Sequence, residues 1–212
     1  MKKTLPIIRS LFPNIPVMTF AYELKKILYG CERILDIGCG QYSPLRFVPS
    51  TYALGIDAYK PSLIKSKKNK VHDTYKHGDI RNIAQIVKPH SFDACVAIDL
   101  IEHLTKKEGL KLIADMSKIA TKRIVIFTPN GFLPQHDTNK LQEHRSGWSV
   151  QDMQGREFKV IGIFGDKRLR GEHHQLIMQP KIVTGMLSEF TQHIYVRNNP
   201  HHAAALLCYR NI

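Results

Sequence analysis

A glycine turn and two acids are the residues of this chain best placed by type and spacing to do chemistry. Residues 34–40 read Ile-Leu-Asp-Ile-Gly-Cys-Gly, and Asp57 follows nineteen positions after Gly38. An apolar strand that turns sharply on glycines lets a ligand approach the backbone N–H groups that come next. A carboxylate at the tip of the following strand is then placed to accept hydrogen bonds from both hydroxyls of a ribose. A tight turn with no ligand is the plainer account. Strand, glycine turn and acid in this order make it the weaker one.

Such a turn serves a dinucleotide as well as other adenosine ligands, and two residues decide between them. Asp36 stands just before the glycines, where its charge would repel a pyrophosphate but suits the α-ammonium of a methionine moiety. Ser43 occupies the place of the third glycine in the dinucleotide fingerprint. The balance falls to S-adenosylmethionine as cofactor.

Further along stand Gly78-Asp79-Ile80 and Asp99-Leu100-Ile101-Glu102-His103-Leu104. With residues 34–40 and Asp57, these segments resemble, in order, the motifs of the class I S-adenosylmethionine-dependent methyltransferases, over roughly Leu24 to Tyr209. The resemblance implies that Asp36, Gly38, Cys39 and Gly40 hold the methionine end of the cofactor. It implies that Asp57, with Ala58, holds the ribose and that Asp79, with Ile80, holds the adenine amino group. Asp99 and Leu100 would line the reacting side. One departure is visible: where the family commonly has a third glycine, this chain has Tyr42, a ring able to cover the cofactor or shape the acceptor pocket.

Residues 128–148, Thr-Pro-Asn through His144-Arg-Ser-Gly-Trp148, resemble a subset of the family that acts on small-molecule or glycan oxygens. They are also similar to the small-RNA 2′-O-methyltransferases and the ubiquinone-pathway O-methyltransferases. In those relatives the positions matching Glu102 and His103 bind a divalent metal, and in the RNA enzymes a histidine matching His144 joins them. The Glu-His pair is also widespread in members with no metal, so the expected site carries none. His144, then His103, are the candidates for a catalytic base, histidine being the side chain that titrates nearest neutral pH. Trp148 is expected to anchor the core. His173, His174, His201, His202 and the lysines of 65–70 are expected to be solvated.

These residues need elements to position them. Helical spacing of Phe20, Leu24 and Leu28 predicts a helix over 18–29. Apolar runs predict strands over 33–37, 52–56, 93–98, 123–127, 159–164 and 203–209. Ser43-Pro44 predicts a capped helix start, Thr105 with Glu108 a capping box, and Ser149 with Asp152 another short helix. A last helix is expected over 182–190, and a long polar loop over 128–147. Alternating strands and helices imply an α/β fold with parallel βαβ units. Together with the resemblance this gives a Rossmann-like, doubly wound, mostly parallel seven-stranded sheet whose last strand runs antiparallel at or near the edge. One domain is expected over 1–212, with 1–30 as an N-terminal helical extension.

Composition sets the remaining bounds. The 31 Lys and Arg against 18 Asp and Glu give a formal net charge of +13, which favours anionic partners: RNA, anionic small molecules or an acidic membrane surface. The four cysteines show no metal-ligand spacing, and Cys95 and Cys208 lie in apolar runs, as reduced cytoplasmic thiols do. Arg9, Pro6 and Pro13 break the apolar stretch that a signal peptide would need, and no run is long enough to span a membrane. A soluble, cytoplasmic protein is expected. Three functions follow in order: an O-methyltransferase for a small, glycan-like or anionic acceptor; an RNA 2′-O-methyltransferase with a Glu/His metal site; and a catalytically silent cofactor-binding subunit.

Overall fold

The computed structural model describes residues 19–135, 140–171 and 176–212. Seven strands form one sheet: β1 (Arg33–Ile37), β2 (Tyr52–Asp57), β3 (Thr74–His77), β4 (Phe92–Ile98), β5 (Ala120–Pro129), β6 (Lys159–Asp166) and β7 (Ala203–Asn211). Their order is β3-β2-β1-β4-β5-β7-β6. All pairings from β3 to β5 are parallel, whereas β7 runs antiparallel between β5 and β6. The last strand is therefore antiparallel and one place in from the edge.

Apolar residues alternate between two cores because successive strand side chains point to opposite faces. On one face Cys95, Ala97, Ile124 and Ile126 meet α4 (Lys106–Ile119) through Leu112, Ile113 and Met116, with Trp148 fully buried among them. On the other, Ala94, Val96, Val125 and Phe127 meet α1 (Thr19–Ile27) through Leu24. Burial on both faces explains why β4 and β5 read as continuous apolar runs. Both predicted capping boxes form: Thr105 with Glu108 opens α4, and Ser149 with Asp152 opens α5 (Val150–Gln154).

One strand went unlocated in the sequence, and two expectations need correction. Strand β3, Thr-Tyr-Lys-His, carries no apolar run because it is an edge strand whose side chains are mostly in water. Ser43-Pro44 opens only a single 3-10 turn over Pro44–Phe47, since Val48 is already extended. The segment after β5 starts at Asn130 rather than Thr128, because Thr128 and Pro129 still pair with β7. His136, His173 and His174 lie outside the described residues, and His201 and His202 are exposed. All four cysteines are buried free thiols. Among the described residues no helix is long and apolar enough to cross a membrane.

Candidate active site

Strand β1 lies between β2 and β4, the point where strand order reverses, and a crevice opens there at the C-terminal ends of parallel strands. The crevice is a cleft of about 440 Å³. Its lining includes Asp36, Gly38, Cys39, Gly40, Asp57, Ala58, Asp79, Ile80, Asp99 and Leu100, all ten residues expected to touch the cofactor, together with His103 and Tyr42. Tyr42 is largely exposed.

The glycine turn is shaped from both sides. Gly38 and Cys39 donate their N–H groups to the Ile56 carbonyl at 2.7 and 3.1 Å. Gly38 has φ +68°, and a methyl on it would lie 2.6 Å from Leu100 Cδ1, so only glycine fits. Asp57 ties the turn to β2: Oδ2 accepts from Gly40 N–H at 2.9 Å and Oδ1 from Tyr59 N–H at 2.7 Å. Each oxygen keeps acceptor capacity toward the cleft.

Asp36 is buried, and its Oδ2 lies 2.8 Å from Nε2 of the equally buried His72. Sequence spacing gave no sign of this partner, which stands just before β3, 36 residues away. Asp79 is more heavily engaged than expected. It caps the turn Ile80–Asn82 by accepting from Arg81 N–H, and it pairs with the Arg81 guanidinium, which holds its carboxyl below the usual range. His77, Arg81 and Arg145 also line the cleft and carry no motif that would have marked them. The two guanidinium groups share Glu108, at 3.6 Å from Arg81 and 3.5 Å from Arg145.

The far side of the cleft is built by the turn after β4 and the segment after β5. Asp99 adopts φ +47°, an uncommon conformation outside glycine that turns the chain sharply at the strand's tip. Its side chain opens onto the cleft with protein packed round the other sides, and that desolvation raises its carboxyl to about 7. Glu102 is fully enclosed, accepts from Thr128 Oγ1 at 3.1 Å, and titrates well above the usual range through burial and the neighbouring Asp99 charge. The Glu102 carbonyl accepts from Arg145 and Ser146 N–H at 2.8 and 3.0 Å, which ties the loop down beside it.

That tether brings the His144 ring to 4.8 Å from the His103 ring, edge to face. Ligand atoms of Glu102, His103 and His144 all lie within 4.8 Å of one another. His103 Nδ1 faces the Glu143 carbonyl at 3.2 Å, and His144 Nδ1 faces the Leu133 carbonyl at 2.6 Å. A carbonyl only accepts, so both rings carry a proton on Nδ1 and turn Nε2 to other partners. This donor set, a carboxylate and two imidazole nitrogens, fits a divalent cation as well as it fits a proton relay.

The enclosed acid has a consequence for stability. Below its ordinary value of 4.5, Glu102 is protonated in both folded and unfolded chains. Above it, the unfolded chain releases the proton while the folded chain keeps it, so stability falls as pH rises. Asp99, exposed at the cleft, acts in the same direction but more weakly, because water screens it. Melting of the protein alone should therefore weaken as pH rises above about 4.5, and Glu102→Gln should flatten the decline. An unchanged slope in that variant would show that Glu102 does not hold its proton.

The comparisons with known proteins bear on the same residues. A family model described as a methyltransferase domain matches residues 35–123, the span from β1 to the middle of β5. A methyltransferase from Archaeoglobus fulgidus, described as SAM dependent, superposes with TM-score 0.60 at 15% identity, covering 99% of this chain and 100% of that one. The small RNA methyltransferase HEN1 superposes with TM-score 0.58 at 16% identity, covering 89% of this chain and 24% of that one. The N-terminal domain of EvdMO1, solved in the presence of SAH and D-fucose, gives TM-score 0.53 at 16% identity over 66% of this chain and 73% of that one. At these identities the likeness is one of fold. No curated protein sequence matches the chain. The matched methyltransferase domain spans the glycine turn, both cofactor-side acids and the Asp99–His103 turn, and the fold around it is the one seen in S-adenosylmethionine-dependent methyltransferases.

Proposed function

We propose that the protein transfers the methyl group of S-adenosylmethionine to an oxygen of a small-molecule or glycan-like anionic acceptor, with His144, assisted by His103, as the proton-accepting group. The observation that carries this reading is the convergence of Glu102, His103 and His144 beside the cleft. Displacement at a sulfonium already has a good leaving group, so the protein must align donor and acceptor and exclude water. An oxygen acceptor also has a proton to lose, and an imidazole Nε2 lone pair near pH 7 suits that step. The methionine end would rest over Asp36 and residues 38–40, the ribose against Asp57 and Ala58, the adenine against Asp79 and Ile80, and the methyl group toward Asp99 and Leu100. Arg145 at the cleft supports an anionic acceptor, and the buried free thiols support a reducing cytoplasmic compartment.

A second reading is favoured by the same cluster: Glu102, His103 and His144 hold a divalent cation, and the acceptor is an RNA 2′-hydroxyl. A cation there would lower the pKa of a bound hydroxyl and neutralise the enclosed carboxylate. Transfer of labelled methyl to a panel of 6-deoxy sugars, sugar phosphates and short RNAs separates the two. Labelling of sugars that survives chelator supports the first; labelling of RNA that chelator abolishes supports the second. Labelling of neither class would sink both.

Asp79 carries a prediction of its own. An S-adenosylhomocysteine analogue with inosine in place of adenosine should bind about tenfold more weakly or worse, since a carbonyl would then oppose the Asp79 carboxylate. Equal calorimetric affinity for the two would leave Asp79 as the cap and the partner of Arg81 alone.

A further inference from the structure

Helix α6 (Lys181–Ile194) is amphipathic, and it faces the wrong way for a core helix. The residues it buries are polar: Thr184, Ser188 and Gln192, one turn apart. Gln192 accepts from Gly165 N–H at 2.9 Å and donates to the Gly162 carbonyl at 2.8 Å, while Ser188 Oγ donates to the Phe164 carbonyl at 3.0 Å. These bonds fasten the helix to β6. The opposite face carries Ile182, Val183, Met186, Leu187, Phe190 and Ile194, each 46–66% exposed. The apolar stripe continues onto Ile177 and Met178 just before the helix. A contiguous exposed apolar face of this length is not the scatter of single residues expected on a soluble surface, and it marks a docking surface.

The charges around the stripe indicate what it docks on. Lys181 opens the helix, His193 lies near its end, and Lys167 stands exposed on the turn that follows β6, beside Arg168, whose guanidinium is paired with Asp166. The one acid of the helix, Glu189, is half-buried and faces Arg170 and His193. A second copy of the chain would bring the same basic rim and the same +13 against itself, and like charges repel. An anionic bilayer turns that excess into attraction, and a helix of this length, about 21 Å, lies readily in the plane of the headgroup–acyl boundary.

We propose that α6 docks the protein on an anionic lipid surface, with its apolar face at the acyl boundary and Lys167, Lys181 and their neighbours among the headgroups. None of the α6 side chains lines the cofactor cleft, so this docking is separate from the transfer reaction. The test is co-sedimentation of the full chain with vesicles of phosphatidylcholine alone or with about one third phosphatidylglycerol. The wild type should sediment with the anionic vesicles and lose that binding as salt rises. The double variant Met186→Ser, Phe190→Ser should bind them at least tenfold more weakly while keeping its melting temperature and its affinity for S-adenosylhomocysteine, because both side chains are exposed. Equal sedimentation of variant and wild type would overturn the proposal. So would equal binding to neutral vesicles, which removes the headgroup role. A concentration-dependent dimer that the same variant dissolves, with no vesicle binding, would assign the stripe to a second copy instead.

Discussion

Replacing His144 with alanine is expected to cut turnover by about 10²–10⁴ while leaving the affinity for S-adenosylmethionine unchanged. The separation follows from position: His144 is absent from the residues lining the cofactor cleft, yet its ring lies 4.8 Å from that of His103, which does line it. The Leu133 carbonyl, 2.6 Å from Nδ1, fixes the tautomer that a base or a ligand needs. Turnover would be read as labelled methyl delivered to whichever acceptor the wild type accepts. If His144 is the base, added imidazole should recover part of the lost rate and chelator should leave the wild type unaffected. If it is a ligand, chelator should abolish wild-type activity, Mn²⁺ or Mg²⁺ should restore it, and Glu102→Ala should behave like His144→Ala. Undiminished turnover in His144→Ala would remove both roles. Weakened cofactor binding would instead mean that His144 acts by holding Leu141, Gln142 and Arg145 against the cleft.

How much of this was legible in the chain depends on how local each feature is. The glycine turn, Asp57 and Asp99 sit at strand tips, where a short apolar run and the residue ending it are adjacent in sequence, whereas Asp79, past the polar β3, was marked only by the family motif. All of them open onto one cleft because parallel strands put all their tips on one edge. His72 was invisible: its partner Asp36 is 36 residues away, and nothing in Val-His-Asp distinguishes a buried hydrogen-bonded histidine from a solvated one. Arg81 and Arg145 were lost among 31 basic residues for the same reason, since what singles them out is a shared Glu108 rather than their own neighbours. Strand β3 lacked the period on which strand recognition depends because its position at the edge demands no apolar side chain. Periodicity found α6 but could not orient it. A stripe at helical spacing reads alike whether it faces the core or the solvent, and only the hydrogen bonds of Ser188 and Gln192 to β6 decide.

Asp57→Ala is expected to weaken S-adenosylmethionine binding by about tenfold to a hundredfold, the equivalent of one charge-assisted hydrogen bond at about 1.5–3 kcal/mol. Two different losses contribute. One is the proposed contact with the ribose hydroxyls; the other is the tether between Asp57 Oδ2 and Gly40 N–H at 2.9 Å, without which the glycine turn is freer to move. An asparagine does not separate them, because its amide nitrogen would face a backbone donor at either Gly40 or Tyr59. A ligand change does. The 2′,3′-dideoxy analogue of S-adenosylhomocysteine should bind the wild type about tenfold or more weakly than its parent, whereas Asp57→Ala should hardly distinguish the two, the interaction having already been lost. Should the variant discriminate between them as strongly as the wild type, the ribose must be held elsewhere and Asp57 acts through the turn alone. A wild-type affinity in Asp57→Ala would contradict both contributions, because the carboxylate is the only side chain seen to bridge Gly40 and Tyr59 among the described residues.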